Sequence, residues 1–314
     1  MPLGSGLSSQ VGIAQEGAYG VFTTPTRFLE FLTEGIAPDR PSLETRGIGD
    51  QFVRTSRRRA YIKSFGGQVE VDFMSSGMGI LLKNMLGSIA TTGTGPYTHT
   101  ATPDAVGLQG LSMTVQVGKP QTMGVVVPFN YLGGKVHAWQ LDQKIDQNLK
   151  LRLTYDFTNI GDLTSALAVA SYPAVNSPLA FLDAVVTLDG VSGNVSECMV
   201  GGARAMAMDR RYLGNQKLEP IANGEYAVTG QISKEFEDTA IYGKFISGAV
   251  AALTMTHTFG ATVLTTTIPA IEYTGANPAI SGSDIVRQTI PFKALKNATQ
   301  PIITLALTCA DATP

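Results

Sequence analysis

Gly66–Phe73 reads GGQVEVDF and Thr229–Phe236 reads TGQISKEF. Gly67, Gln68, Val69 and Phe73 of the first stretch return as Gly230, Gln231, Ile232 and Phe236 of the second, 163 residues later in a chain of 314. Apolar and polar residues alternate in both, the period of a strand with one buried face. A shift of about half the chain makes two similar units in tandem the first expectation, with boundaries at 1–165 and 166–314. A second echo has the same sense: Pro128, Tyr131 and Gly133 in PFNYLGG against Pro269, Tyr273 and Gly275 in PAIEYTG. Duplication repeats a surface, whereas an active site needs unlike groups to converge. A chain built this way is expected to assemble or bind rather than catalyse.

Working outward, the strand pattern covers Val69–Phe73, Ser112–Val117, Lys135–Leu141, Leu149–Phe157, Ala184–Leu188, Ala203–Met208, Tyr226–Phe236, Leu253–Thr258, Leu264–Tyr273, Ile285–Phe292 and Pro301–Thr308. Each is bounded by Gly, Pro, Asn or Asp, which punctuate strands. Helix is expected only at Gly79–Leu86 and Thr239–Ile246, each following one copy of the Gly-Gln strand. Ile80, Leu81, Met85 and Leu86 share one helical face, as do Ile241, Phe245 and Ile246, with Asp238 and Thr239 available as caps. The fold class is therefore mainly β, two sandwich or rolled-sheet units each carrying a short helix. Leu163–Pro178, uncharged and broken by Pro173 and Pro178, reads as a linker or extended arm. Less regular stretches, Pro38–Ile62 with its arginines and Asp209–Asn223 with Arg210 and Arg211, precede the two Gly-Gln strands.

Composition limits what such a protein does. Length suits two ordinary domains, each able to bury a core. Charged residues are 15% of the chain and the net charge is −2, against roughly 25% charged in average soluble domains. A surface so poor in charge suits flanks covered by copies of the same chain. Neither half is basic: 14 cations against 13 acids up to Ser165, then 9 against 12. A grip on a phosphate backbone needs a positive face, so DNA is expected only as something passed over. Cys198 and Cys309 are too few for a disulfide framework and too distant for a metal knuckle. The amino-terminal MPLGSGLSSQ has no signal-peptide pattern and no stretch has membrane-helix length.

Catalytic patterns fail one by one. His99, His137 and His257 have no metal-capable partner at ligand spacing, and no Gly-x-Ser-x-Gly elbow occurs. Thr91–Pro96 is Gly-rich but lacks the lysine and helix of a phosphate cradle, and reads as a hairpin tip. Asp142 with Asp146, and Glu235 with Glu237 and Asp238, could be two-carboxylate hydrolase sites. Carboxylates at strand ends are ordinarily solvated, however, and the single Trp139 is few for sugar stacking. Trp139 reads as a core or interface anchor. Arg54, Arg57, Arg58 and Arg59 form the one dense basic cluster, whose forked guanidinium groups fit carboxylates on a neighbouring subunit. No cofactor, metal or catalytic residue is expected. The arginines and Trp139 are assigned to inter-subunit contact.

The chain also resembles the tail tube proteins (major tail proteins) of long, non-contractile-tailed bacteriophages. The resemblance rests on SSQVGIAQEGAYGVFTTPTRFLEFLTEGI with Glu16 and Ala18–Gly20, on FGGQVEVDF followed by LLKNMLG, and on LSMTVQVG, FNYLGGKV and TTTIPAIEYTGANPAISGSDIVRQTIPFKAL. It runs along most of the chain and is weakest between Leu188 and Gly224. It implies a virion structural protein whose β domains form rings that stack into a hollow tube for the genome. Implied partners are other copies, the tail terminator, the tape measure and the distal tail proteins, with DNA passing non-specifically and no membrane. Two tube domains per chain would close a pseudo-six-fold ring with three chains, a trimer preferred here to a hexamer. A near-neutral or acidic wall would let DNA slide, and Asp142, Asp146, Glu235, Glu237 and Asp238 are the acidic candidates for the lumen. The other expectations are a head decoration or baseplate protein, and a carbohydrate-binding or carbohydrate-active β-sandwich.

Overall fold

The computed structural model describes residues 4–314 apart from 46–47, 49–51, 105–106, 108–109, 162, 164–165, 175, 215–216, 279 and 281–284. Parts of the expected linker and of both irregular stretches therefore lie outside the described residues. The first half begins with β1 (Gln10–Gln15), β2 (Arg27–Leu29), β3 (Phe31–Glu34), β4 (Ala37–Asp39), β5 (Ser42–Glu44), β6 (Arg58–Ala60) and β7 (Ser64–Asp72). After α1 (Gly79–Leu86) come β8 (Gly87–Thr92), β9 (Tyr97–Pro103), β10 (Met113–Pro120), β11 (Val126–Lys144), β12 (Lys150–Phe157) and β13 (Asn159–Ile160). The second half has β14 (Ala184–Leu188), β15 (Val191–Ser192), β16 (Val195–Met206) and β17 (Ala222–Glu235). Then follow α2 (Ala240–Ser247), β18 (Ala251–Phe259), β19 (Thr262–Tyr273), β20 (Arg287–Ala294) and β21 (Thr304–Cys309). Every stretch read as a strand overlaps one, and both helices fall within a residue of their expected bounds.

The protein is mainly β, and the alternation seen in sequence explains its layering. In β12, Leu151, Leu153 and Tyr155 are buried while Lys150, Arg152 and Thr154 face outward. The inward residues of β7, β11, β12, β16 and β17 join those of β18, β19 and β21 in one continuous core. Each fully buried Leu, Val or Phe there contributes about 1.5–3 kcal/mol.

The two halves repeat one connectivity. Gly67 of β7 lies opposite Tyr155 of β12, and Gly230 of β17 lies opposite Phe292 of β20. Just beyond, the Phe73 N–H donates to the Leu149 carbonyl and the Phe236 N–H to that of Val286. β12 then pairs with the end of β11, and β20 with the end of β19. The hairpins β10–β11 and β18–β19 each carry a register shift, at Met113/Val115 and at Ala251/Leu253. The sequence shift between equivalent residues falls from 163 at Gly67/Gly230 to 137 at Tyr155/Phe292. The first half inserts the hairpin β8–β9 between α1 and β10, whereas α2 runs directly into β18.

That register corrects the second echo. Tyr131 lies opposite Val115 and the residue in its place in the second half, opposite Leu253, is Ile268. Tyr273 instead occupies the position of Val136, opposite the aromatic of the return strand. A likeness of PFNYLGG to PAIEYTG five residues out of register is a chance similarity of strand-and-turn composition.

β11, nineteen residues long, changes its pairing partners along its length. Its start pairs with β10 and β13, and from Lys135 onward it pairs with β12 and then with β16. The bend comes at Gly133, φ +70°, packed so closely on Tyr19 and Thr158 that no side chain fits. The β11–β16 ladder is the seam between the halves. β9 adds a second seam by pairing with β21. Across the interior, the buried His257 of β18 donates from Nε2–H to Gln143 Oε1 of β11 at 3.0 Å.

The irregular stretch before β17 is a strap rather than a free basic loop. Lys217 pairs with Asp156, and both side chains are buried. Lys135, 2% exposed, donates to Glu219 Oε1 at 2.7 Å and to the Pro220 carbonyl at 2.9 Å. Arg211 donates to the Lys63 carbonyl, and Arg210 turns inward to the Glu219 carbonyl at 2.6 Å. The second half is thus clamped onto the first by charge-assisted bonds in low dielectric. The linker hugs the first half as well: Ala168 N–H donates to Gln116 Oε1 and Tyr172 packs edge-on against Phe28.

Candidate functional site

The feature with most functional content is a broad polar face. Six strands lie side by side in the order β7, β12, β11, β16, β17, β20, all antiparallel. Their outward residues align in rows across both halves. One row is Asp72, Lys150, Asp142, Met199, Gln231 and Pro291; the next is Glu70, Arg152, Gln140, Gly201, Thr229 and Lys293. A third runs Gln68, Thr154, Ala138, Ala203 and Ala227. A fourth has Lys144, Glu197, Ser233 and Thr289.

Charges on this face cancel where they stand. Arg152 Nη2 sits 2.8 Å from Glu70, which Lys150 also approaches at 3.9 Å. Lys144 lies 2.7 Å from Glu197 and 3.9 Å from Asp142, and Lys293 is 2.9 Å from Glu272. Half-exposed pairs of this kind add at most about 1 kcal/mol each to stability. Their larger effect is on the field: each cation is answered within one or two strands, so no run of positive potential remains to hold a phosphate chain. The rows also lack aromatic rings, and with them any platform on which bases could stack.

Asp142 is at the centre of the face. Burial pushes its carboxyl above the usual range, against the pull of Lys144, and its Oδ1 is buried without a hydrogen-bond partner. The other acidic candidates scatter. Glu235 ends β17 at the rim of the same face, across from Arg287. Asp146 occupies the exposed turn after β11 in the left-handed region at φ 61°. Glu237 and Asp238 lie beyond the sheet, at the entry to α2. Hydrogen bonds from Lys234 and then Asn194 hold Glu237 below the usual carboxylate range. Asp238 accepts from the Ala240 N–H at 2.8 Å and so caps the helix, whereas Thr239 makes no side-chain cap bond. No hydrolase dyad forms from either group.

The arginine cluster sits apart from this face. β5 and β6 form a separate two-stranded ribbon, pairing Glu44 with Arg58 and Leu43 with Arg59, and Arg54 precedes a short 3-10 turn, Thr55–Arg57. Arg57, Arg58 and Arg59 are exposed, with Glu44 3.9 Å from Arg58. Leu43 of β5 is exposed, as is Phe52 in the segment between the two strands. A lone two-stranded hairpin is marginal in water, so this one gains by packing on something else.

Trp139 is 4% exposed and lies inside the chain, not on its surface. Its indole N–H donates to the Tyr226 hydroxyl at 2.6 Å, and its ring covers Gly202 on β16. It anchors the seam between the halves, and burial leaves the ring little reach toward a neighbour. His99 and His257 are fully buried, and burial lowers the His137 and His257 pKa values, the latter to about 4. Among the described residues no cluster of His, Cys, Asp or Glu could hold a metal ion. Cys198 and Cys309 are buried thiols whose pKa values burial pushes up, to about 12 and about 11.

Sequence reasoning missed the buried clamp of Glu16. Its carboxylate accepts from the Gly133 and Gly20 N–H groups, both at 2.8 Å, and from the Thr114 hydroxyl at 3.0 Å. The signal was present as an acid in an otherwise apolar strand lead-in, but nothing in sequence marked its partners. The strap lysines were missed for the same reason.

A family model described as phage tail tube protein matches residues 6–294, nearly the whole chain. No curated protein sequence matches it.

Proposed function

The chain belongs to the phage tail tube protein family, and we propose that it supplies two of the six positions in each ring of a tail tube, three copies closing the ring. As a tail tube protein it is a structural component of the virion tail. The observation that carries the finer reading is the repeated connectivity, in which two halves of one chain build a single six-stranded polar face. On this reading residues 1–165 and 166–314 are two tube domains, and the polar face looks onto the channel.

The β11–β16 seam supports the reading, because there a strand of the first half pairs with a strand of the second and continues its sheet. Among the described residues the sheet ends on edges it does not pair, the outer side of β3–β4 and that of β20 from Arg287 to Ile290. Unpaired edges invite another chain, and a head-to-tail contact closes into a ring when the rotation allows. Asp142 and Glu235 then belong to the channel wall, whose balanced charges give passing DNA nothing to grip. The arginine ribbon and the amino-terminal arm are proposed to bridge stacked rings. Tail terminator, tape measure and distal tail proteins are the proposed end partners, in a long non-contractile tail that ejects DNA.

Electron microscopy of the purified chain, alone and with its tail-assembly partners, tests this. Rings or tubes with a central channel are expected; a persistently monomeric species under both conditions would overturn it.

A further inference from the structure

α1 and α2 are the same element in two surroundings. Each ends on a left-handed glycine, Gly87 or Gly248, whose N–H returns to the carbonyl of Lys83 or Lys244. That alignment sets Leu81 against Tyr242 and Met85 against Ile246. Leu81 and Met85 are 0% and 3% exposed; Tyr242 and Ile246 are 38% and 66% exposed. Every residue of α1 except Lys83 is buried, whereas none of α2 is.

The cover over α1 comes from two places. The inserted hairpin β8–β9 packs beside it, and the second half has no equivalent. The chain's last residues close its start: Asp311 Oδ2 accepts from the Gly77 N–H at 2.6 Å, and Pro314 rests on Gly79, where a Cβ would be 2.6 Å from its Cα. Those residues follow β21, the last strand of the second half. By register β21 corresponds to β13, since both flank the long hairpin strand on the side away from its partner. The segment that follows β13 is the linker. Its stretch Ala168–Tyr172 is uncharged and is fixed on its own half, Ala168 by Gln10 and Gln116 and Tyr172 by Phe28, which presents Val169, 90% exposed, to a neighbour.

We propose that α2 is the seat for residues 168–172 of the next copy in the ring, as α1 is the seat for residues 311–314 within the chain. The proposal rests on the ring reading above. Ala240 and Gly243 offer the close approach that Gly79 offers in α1, and Tyr242 and Ile246 supply apolar area that water otherwise meets. The occupant is a second copy of this chain, because the tail of one unit covers the helix of the unit before it. In three copies each α2 finds one such tail and none is left over.

A photo-crosslinking amino acid at position 169 tests the contact in the full chain. Copies carrying it are grown in heavy isotopes, co-assembled with light copies, irradiated, digested and imaged by microscopy in the same sample. Heavy-to-light crosslinks to Ala240–Ile246 are expected. Rings present with crosslinks elsewhere, or only within one copy, overturn this contact and leave the ring reading standing. Neither rings nor heavy-to-light crosslinks overturns both. Ile246→Glu gives a second measure. The isolated chain should melt unchanged, since the side chain is exposed, while ring yield falls by about tenfold or more, because the seated carboxylate would be buried without a partner. Unchanged yield would contradict the proposal.

Discussion

Gly230 lies against Phe292, so near that a Cβ on the glycine would fall inside contact distance of the ring and of the Met199 carbonyl behind it. The same collision awaits at Gly67, against the backbone of Gly35 and Ile36. These two glycines start the sequence echo, and neither has room for a side chain. Gly230→Ala and Gly67→Ala are each expected to destabilise by about 1–3 kcal/mol through forced backbone shifts, read as a lowered urea midpoint. Gly243→Ala, in the open face of α2, serves as the control.

Trp139 ties β11 to β16 and to Tyr226. Trp139→Ala should cost about 3–5 kcal/mol. Tyr226→Phe, which leaves the buried indole N–H without its acceptor, should cost about 1–3 kcal/mol. Chemical denaturation of the isolated chain separates these from any effect on assembly.

The strap between the halves makes a prediction with two arms. Asp156→Ala strands the Lys217 ammonium where its side chain is 3% exposed, at a cost of about 3–5 kcal/mol. Replacing both partners by apolar residues of similar size, Asp156→Leu with Lys217→Met, should recover most of that loss. If the double variant is as unstable as the single one, the strap is held by something other than this ion pair.

His257 gives the fold an acid limit. It is 0% exposed and burial lowers its pKa to about 4, below the ordinary value near 6.5. The unfolded chain therefore takes up a proton that the folded chain refuses, and stability falls as pH drops from about 6.5 to about 4, by about 3 kcal/mol in all. His257→Gln should flatten that limb in a series of denaturation midpoints taken across the range. A limb that persists unchanged assigns the acid sensitivity to another group.

Much of this was legible in the sequence, for physical reasons that differ by element. β7, β12 and β17 showed themselves because one face is buried and one wet, so their side chains alternate. α1 and α2 showed themselves through apolar spacing, yet the same spacing hid that α2 is uncovered, since pattern reports what a face is suited to and not what lies on it. β1–β6 escaped because they are short and carry no long alternation; of β8–β9 only the hairpin tip at Thr91–Pro96 was legible, because Thr and Ala dominate its strands. The polar face was out of reach for another reason. Asp142 and Glu70 are 72 residues apart in the chain and share a face only through strand register, and a one-residue slip would have put either on the opposite side. The acidic candidates chosen by proximity in sequence accordingly split, with Asp142 and Glu235 on the face and Glu237 and Asp238 at a helix entry.

The account turns on two units per chain and three chains per ring. Mass per ring in an assembled tube, from scanning transmission microscopy combined with the axial repeat, measures that most directly. Three times the 33.2 kDa chain mass, in a ring of six similar lobes, is the expected result. Six times that mass per ring, with one half of each chain held outside the wall, would contradict it.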